Sequence, residues 1–235
     1  MKLSIVIPVY NEGKVIGETI DRVEAAVKSQ HELLIIYDFD GDSTIEPAKK
    51  KQKRYKNVKL IKNTRGRGAL NAIRTGIEKS EGRAVCVMMA DLTDDPRIVD
   101  DMISKFDEGF DLVAASRYMK GGSQVGGPIL KKALSRIAGV SLNLMTGVPV
   151  HDVTNSFRLY SKKLLDEVQI ESDGGFEVAL ELTVKAYDAG YRLTEVPTTW
   201  MYLDKESRFN FRKWLPKYLK WYFWLLARKN VFNLR

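Results

Sequence analysis

Short runs of apolar and β-branched residues alternate along the first half of the chain with longer stretches in which apolar residues recur every three or four positions. The short runs predict β-strands, and the longer stretches predict amphipathic helices. The predicted strands are Leu3–Ile7, Glu32–Asp38, Val58–Ile61, Ala84–Met89 and Leu112–Ser116, and the helices between them are Lys14–Lys28, Thr44–Tyr55, Gly68–Glu78 and Ile98–Glu108. This alternation is typical of an α/β fold, with a mostly parallel sheet covered by helices on both faces.

The regular alternation ends after Ser116. The glycine-rich segment Tyr118–Pro128 predicts a loop, either a lid over a bound ligand or a plain surface loop. Beyond it the pattern predicts helices at Ile129–Met145 and Gly175–Ala189 and strands at Asn155–Tyr160 and Arg192–Pro197. Because no linker interrupts this order, we expect one domain over residues 1–204.

The net charge of +8 is concentrated at the carboxyl-terminal end of the chain. Residues 205–235 contain nine Lys and Arg residues and one acidic residue, whereas residues 1–204 are balanced. A basic protein is often a nucleic-acid binder, but a neutral body with one basic, aromatic segment does not favour that class. We therefore expect no nucleic-acid partner and consider residues 205–235 as a separate tail.

The tail predicts an amphipathic helix whose apolar face carries Trp214, Tyr218, Tyr222 and Leu226. Its apolar run, residues 221–227, is much shorter than the about 20 residues that cross a bilayer. We therefore expect residues 209–229 to lie on a membrane surface, with packing against the body or a contact between two copies of the chain as alternatives. The lone cysteine, Cys86, lies in an apolar run and favours a reducing compartment, so we expect the cytoplasmic face.

Polar side chains follow three of the predicted strands: Tyr10 and Glu12, then Asp38 and Asp40, then Asp91, Thr93 and Asp94. The carboxyl ends of parallel strands meet at one edge of a sheet, where ligands bind. Carboxylates gathered there repel one another unless a cation or a polar ligand offsets their charge. We expect Mg²⁺ or Mn²⁺ carrying a diphosphate, with Asp91 and either Thr93 or Asp94 as ligands. As an alternative, Asp94 and Asp95 cap a helix that begins at Pro96.

Several motifs are more specific in combination than any of them is alone. They are Ser4-Ile5-Val6-Ile7-Pro8-Val9-Tyr10-Asn11-Glu12, Asp38 with Asp40, Gly66-Arg67-Gly68-Ala69-Leu70-Asn71-Ala72, Ala90-Asp91-Leu92, Ser116-Arg117-Tyr118 and Asp152-Val153-Thr154-Asn155-Ser156-Phe157-Arg158-Leu159-Tyr160. In this combination the chain resembles the family-2 glycosyltransferases with the GT-A fold. Within that family it most resembles the polyprenyl-phosphate sugar transferases, of the dolichol-phosphate mannose synthase type.

The resemblance implies roles for individual positions. The base and ribose of a nucleotide sugar would contact Pro8, Tyr10, Glu12, Ile36 and Asp38. The metal and the donor diphosphate would contact Ala90, Asp91 and Thr93, with Arg208 near the diphosphate. The phosphate of the acceptor would contact Arg117, Ser135 and Arg136.

The chain also departs from the family's pattern. Met89 stands where the family has the first acid of its Asp-x-Asp motif, and we expect Asp94 to substitute for that acid from the other side of the turn. Asn155 replaces the usual glycine before the Ser-Phe-Arg motif, and an arginine expected between Pro197 and Glu206 has no clear counterpart.

The resemblance implies a metal-dependent, inverting transfer of a hexose from a GDP- or UDP-sugar to a polyprenyl phosphate at the cytoplasmic membrane face. Because a phosphate monoester is already an anionic nucleophile near neutral pH, the reaction needs no general base. We therefore expect His31 and His151 to be structural. Transfer to a different acceptor, or binding of a nucleotide sugar with little catalysis, are the alternatives.

Overall fold

The computed structural model of the protein describes residues 2–203 and 211–229. The strands are β1 (Leu3–Val9), β2 (His31–Tyr37), β3 (Val58–Lys62), β4 (Ala84–Val87), β5 (Leu112–Ser116), β6 (Ser123–Val125), β7 (Arg158–Ser161), β8 (Leu193–Pro197) and β9 (Thr199–Met201). The helices are α1 (Ile16–Ala26), α2 (Ile45–Arg54), α3 (Ala69–Lys79), α4 (Val99–Asp107), α5 (Ile129–Thr146), α6 (Lys162–Glu167), α7 (Val178–Asp188) and α8 (Phe211–Arg228). The predicted α/β class and the alternation in the first half are confirmed.

Seven strands form one sheet in the order β3-β2-β1-β4-β7-β5-β8. β7 runs antiparallel to both of its neighbours, and the other neighbouring pairs are parallel. Leu3 pairs with His31 on one side and with Ala84 on the other, so β1, β2 and β4 begin level with one another. The segments that follow these three strands therefore lie at the same edge of the sheet, as the sequence predicts.

Helices bury apolar residues on both faces of the sheet. On one face α1, α2 and α4 cover a core in which Ile16, Ile20 and Val23 recur at the three- and four-residue spacing of a helix. On the other face, α3, α7 and α8 contribute to a second core. The sheet therefore has few exposed apolar residues, and its polar groups collect at the two ends of the strands.

The tail helix α8 is docked on the body of the protein. Trp221, Leu225 and Leu226 are at most 1% exposed and belong to the core that α7 also lines. Trp221 Nε1 donates a hydrogen bond to Ser172 Oγ at 3.0 Å. One face of the tail therefore packs against the body, which was one of the alternatives. Within the described part of the chain, no helix combines the length and the apolarity that crossing a membrane requires.

The glycine-rich segment is not a plain loop. β6 within it pairs in parallel with β9 as a separate two-stranded sheet. Gly126 and Gly127 follow β6 with φ angles of 75° and 82°, and a Cβ on either glycine would lie 3.3 Å from Tyr202. These two strands could not be found from the sequence because three residues are too few for an alternating pattern to be distinguished.

Candidate active site

The loops that follow β1 and β2 are joined by hydrogen bonds. The buried Asp42 carboxylate accepts from the backbone N–H of Asn11, with both oxygens at 3.1 Å. Thr44 Oγ1 accepts from the N–H of Glu12 at 2.9 Å. Asn11 has a φ of 56°, in the left-handed region that Asn tolerates better than most residues. The position of Glu12 is therefore set by Asp42 and Thr44, which the sequence analysis did not assign.

Asp38 lies directly after β2 and accepts hydrogen bonds from two segments. Its Oδ1 accepts from Asn63 Nδ2 and its Oδ2 accepts from Gly68 N, both at 2.8 Å. The Gly66–Gly68 motif is thereby brought to the end of β2. The structure places these elements together at the edge where the sequence predicts the nucleotide.

The other residues predicted on the donor side differ in accessibility. Tyr10 is 45% exposed, and its ring centroid lies 5.7 Å from that of Phe39. Pro8 in β1 pairs with Ile36 in β2, and Ile36 is fully buried. Tyr10 is therefore available to a ligand, whereas the Ile36 side chain belongs to the core beneath the edge.

The turn after β4 is held in place by helix α1. Thr19 Oγ1 donates to Ala90 O at 2.8 Å, and Arg22 Nη1 donates to Leu92 O at 3.1 Å. Leu92 has a φ of 67°, a conformation that is uncommon for a residue other than glycine. The two bonds from α1 stabilise this strained turn and fix the direction of the side chains beside it.

Two carboxylates of this turn line the same cavity, those of Asp91 and Asp94. Thr93 donates its N–H and its hydroxyl to Asp91 Oδ1, at 3.1 and 2.6 Å, and so orients that carboxylate. Asp94 Oδ2 accepts from Met89 N at 3.0 Å, so its carboxylate lies against the position where the family's first acid is missing.

Burial and then the negative charge of Asp91 raise the pKa of Asp94 to about 7, although the Met89 N–H and the charges of Arg117 and Arg22 act in the opposite direction. A buried carboxylate next to a second carboxylate is stabilised by a cation. The donor set therefore fits a small divalent metal. Within residues 2–203 and 211–229, no group of three or more His, Cys, Asp or Glu side chains could hold a metal. The remaining ligands would have to come from a bound molecule such as a diphosphate.

Arg117 lies after β5 and is fixed by a buried ion pair. Its Nε donates to Asp152 Oδ2 at 2.7 Å and its Nη2 donates to Asp152 Oδ1 at 2.9 Å. The same Nη2 reaches Thr154 Oγ1 at 2.9 Å and Ser135 Oγ at 3.2 Å. Burial lowers the pKa of Arg117, but the charge of Asp152, its hydrogen bonds with Arg117 and the nearby Tyr118 and Asp94 together outweigh burial and raise the pKa overall. For Asp152 burial raises the pKa, and Arg117 outweighs burial and lowers it.

Two aromatic rings contact the guanidinium of Arg117. Its Cζ lies 5.0 Å from the ring centroid of Tyr118 and 5.8 Å from that of Trp200. Tyr118 also donates its hydroxyl to Ser135 Oγ at 2.9 Å. β5, β9 and α5 therefore combine to hold one arginine in a single orientation, partly shielded from water.

A cavity of about 360 Å³ connects these groups. Its polar lining includes Met89, Asp91 and Asp94 of the metal-type turn, together with Arg117, Ser135 and Asn155. Apolar and aromatic side chains from α5, α8 and the region around the start of α7 complete the lining: Leu134, Ala138, Phe176, Leu180, Leu215, Tyr218, Leu219 and Tyr222. The cavity therefore combines acidic, basic and apolar walls.

The structure brings most of the predicted phosphate and metal residues to this cavity, namely Asp91, Thr93, Asp94, Arg117 and Ser135. Arg136 is exposed and is not part of the lining, whereas Lys131 and Lys132 are. Arg208 lies outside the described residues. The signal for Lys131 was present in the sequence, because Lys131 and Ser135 are four residues apart and share one face of a helix.

Residues 4–169 match the family model described as glycosyl transferase family 2. The chain belongs to glycosyl transferase family 2. This family-2 member is 27% identical over 233 residues to the dolichol-phosphate mannosyltransferase of Pyrococcus furiosus, and the match covers 94% of this chain and 64% of that protein. It is 34% identical over 172 residues to the uncharacterized glycosyltransferase YkcC of Bacillus subtilis, and that match covers 72% of this chain and 52% of that protein. The chain thus spans less than two thirds of the length of these two relatives.

The fold of this family-2 member is similar to that of glucosyl-3-phosphoglycerate synthase from Mycobacterium tuberculosis. The structure of that enzyme with Mn²⁺, UDP and glucosyl-3-phosphoglycerate matches with a TM-score of 0.72 at 18% identity, over 97% of this chain and 80% of the other. A second structure of it, with Mg²⁺ and UDP, matches with a TM-score of 0.70 at 17% identity. The likeness confirms the predicted GT-A fold.

Proposed function

We propose that this glycosyltransferase moves a hexose from a GDP- or UDP-sugar to a polyprenyl phosphate. The observation that supports this most is that one cavity is lined by Asp91 and Asp94, by Arg117, and by apolar side chains of α5 and α8. A long apolar alcohol that carries a phosphate suits the basic and apolar parts of this lining, with its anionic head and its apolar chain. The similarity to a dolichol-phosphate mannosyltransferase supports the same class of acceptor.

The acceptor phosphate would lie against Arg117 and Ser135. Since the charge of Arg117 is already paired with Asp152, a further positive charge would come from Lys132 at the start of α5. Arg117 would supply directed N–H donors, for which its planar guanidinium is well suited. Lys132 Nζ donates to Gln124 O at 3.0 Å, which ties this end of α5 to β6.

On the donor side, Asp91 and Asp94 would hold Mg²⁺ or Mn²⁺, and a bound metal would offset the charge that develops on the departing diphosphate. An oxygen of the acceptor phosphate forms a bond to the anomeric carbon while the bond from that carbon to the nucleoside diphosphate breaks, with inversion. A phosphate monoester has its second pKa near about 6, so no side chain has to remove a proton at neutral pH. This agrees with the hydrogen bond that holds His151 to Glu195, with Nδ1 and Oε1 2.6 Å apart.

We further propose that the cavity opens towards the cytoplasmic face of a membrane. Helix α5 exposes Ile129, Leu130, Ile137 and Leu144 by 62% to 83%, and α8 exposes Phe223 by 50%. Leu130, Ile137 and Leu144 are seven residues apart and share one face of α5, and an exposed apolar face of this kind is typical of a membrane or protein contact. The proposed membrane face is therefore shared by α5 and α8 and is not confined to the tail.

The experiment is to incubate the protein and Mn²⁺ with radiolabelled UDP-glucose or GDP-mannose and polyprenyl phosphate, and to count label in the organic phase. Label is expected with polyprenyl phosphate but not with the free polyprenol. In a parallel reaction with 3-phosphoglycerate, a labelled product in the aqueous phase would support a non-lipid acceptor. Nucleotide-sugar binding without transfer to either acceptor would contradict the enzymatic proposal.

A matched pair of variants tests the metal turn. Asp91→Asn is expected to remove most of the transfer. Asp95→Asn is the control, because Asp95 is bonded to Arg97 and does not line the cavity. Equal activity of the two variants would remove Asp91 from the site.

A further inference from the structure

Asn63 follows β3 and is only 6% exposed, and its side-chain amide is fully used. Its Nδ2 donates to Asp38 Oδ1 at 2.8 Å and to Gly66 O at 2.7 Å. Its Oδ1 accepts from Arg65 N and from Thr75 Oγ1, both at 2.9 Å. A buried amide with two donors and two acceptor lone pairs satisfied has one orientation only. Asn63 therefore fixes its four partners relative to one another.

These bonds hold the loop between β3 and α3 against the end of β2. The loop returns to Asp38 a second time, because Gly68 N donates to Asp38 Oδ2 at 2.8 Å. Gly68 has a φ of 122°, which a residue with a side chain rarely adopts. Among the described residues, each oxygen of Asp38 thus accepts one hydrogen bond and keeps a lone pair for another donor. The plane of the carboxylate is set before any ligand binds.

The same loop places a cation and an aromatic pair beside Asp38. The guanidinium carbon of Arg67 lies 5.0 Å from the ring centroid of Phe39, and the exposed Tyr10 lies on Phe39 at 5.7 Å. A carboxylate accepts from the ring N–H of uracil or guanine, and aromatic rings stack on bases of either kind. These groups together suit the base of a nucleotide rather than its phosphates.

We propose that Asn63 is a positioning residue for base recognition, which orients Asp38 and the Gly66–Gly68 loop towards the nucleobase of the donor. The inference rests on the proposed use of a nucleotide sugar. It predicts that loss of the Asn63 amide weakens binding of the nucleoside part and leaves binding of the diphosphate part unchanged.

The test is calorimetric binding of UDP, GDP and inorganic pyrophosphate in the presence of Mn²⁺. In Asn63→Ala the Kd of the preferred nucleotide is expected to rise at least about tenfold, the usual effect of losing a hydrogen bond to a charged group, with less than about a twofold change for pyrophosphate. The near-isosteric Asn63→Asp keeps an acceptor for Arg65 and Thr75. It is expected to raise the Kd of the nucleotide and to leave the Kd of pyrophosphate nearly unchanged, as Asn63→Ala does, so the test does not depend on one variant folding.

The matched control is Asn57→Ala. Asn57 lies at the opposite end of β3 and also donates its amide to a carboxylate, that of Glu24 at 2.9 Å, and its replacement is expected to change neither Kd. Unchanged nucleotide binding by the Asn63 variants, or an equal loss of nucleotide and pyrophosphate, would overturn the proposal. A wild-type protein that binds neither nucleotide more tightly than pyrophosphate would instead contradict the proposed function itself.

Discussion

Replacing Asp152 by Asn would leave the charge of Arg117 buried without its partner. Asp152 is fully buried and accepts three hydrogen bonds from Arg117, at 2.7, 2.9 and 3.0 Å. An Asn side chain has a single acceptor oxygen, so its NH₂ group would point at one of the Arg117 donors. Breaking a buried pair in this way costs roughly 3–5 kcal/mol, because one charge is left uncompensated.

Urea unfolding followed by circular dichroism measures this loss. We expect a lower midpoint for Asp152→Asn with an unchanged slope, since the loss concerns the native state. The carboxyl pKa of Asp152 is lowered in the folded protein, so its contribution is present above its unfolded pKa and disappears only as the pH falls through the folded pKa. The difference between the two proteins is therefore expected to be constant from pH 5 to pH 8.

Two further variants test whether the unpaired charge of Arg117 causes the loss of stability in Asp152→Asn. Asp111→Asn neutralises a half-buried carboxylate that accepts from Ser161 Oγ and Arg192 N but forms no salt bridge with the described residues, and we expect a loss below about 1 kcal/mol. Adding Arg117→Gln to Asp152→Asn removes the unpaired charge and is expected to restore part of the stability. A double variant less stable than Asp152→Asn, or a single variant within about 1 kcal/mol of the wild type, would refute the reasoning.

Three other predictions concern the membrane face, the tail and a titrating group. The double variant Ile137→Glu/Leu144→Glu is expected to reduce co-sedimentation with anionic vesicles at least about tenfold. The control Lys50→Glu on α2 changes the net charge by the same amount and should have little effect; an equal loss in both would mean that vesicle binding depends on net charge and not on this apolar face. Trp221→Ala is expected to cost roughly 3–5 kcal/mol in urea unfolding, and the half-buried Trp224→Ala clearly less; the reverse order would place the docking contact elsewhere. Burial lowers the pKa of His31, but its hydrogen bonds to Glu24 and Ser29, together with nearby negative charges, outweigh burial and raise the pKa. The stabilisation of the folded protein by His31 is therefore fully present below about pH 6.5 and is lost as the pH rises through the raised pKa. The melting temperature of His31→Gln should therefore fall below that of the wild type by more at pH 5.5 than at pH 8.5, and a constant difference would contradict this.

The parallel half of the sheet could be predicted because strands buried on both faces are continuous apolar runs, such as Leu3–Val9 and His31–Tyr37. The position of the polar edge followed from their parallel direction. The insertion of β7 between β4 and β5 could not be predicted, since the order of strands depends on pairings that are distant in sequence. The role of Asn63 was equally hidden, because a single asparagine after a strand has no pattern around it.

The phosphate side of the site shows that a motif alone does not decide between neighbouring residues. Family resemblance pointed to Arg136, but the residues of α5 that line the cavity are Lys131, Lys132, Leu134, Ser135 and Ala138. Arg136 is exposed, although it lies one helical turn after Lys132 on the same side of the helix. Which face lines the cavity depends on how α5 packs against α8, and that information is not local to the motif.

The packing of α8 also reduces the positive charge that the basic tail can present to a membrane. Lys217 forms an ion pair with Asp173 at 2.8 Å, and Arg228 and Lys229 pair with Asp188 at 2.8 and 3.6 Å. These cations are therefore offset by acids of the body, and the tail is less basic towards a membrane than its composition suggests. Because exposed pairs of this kind contribute only about 0–1 kcal/mol each, the docking of α8 depends mainly on buried apolar residues such as Trp221 and Leu225. The same helix lines the cavity with Leu215 and Leu219, whereas the carboxylate turn is held by Thr19 and Arg22 of α1, so a change that undocks α8 is expected to alter the proposed acceptor groove and to leave the bonds that hold the carboxylate turn in place.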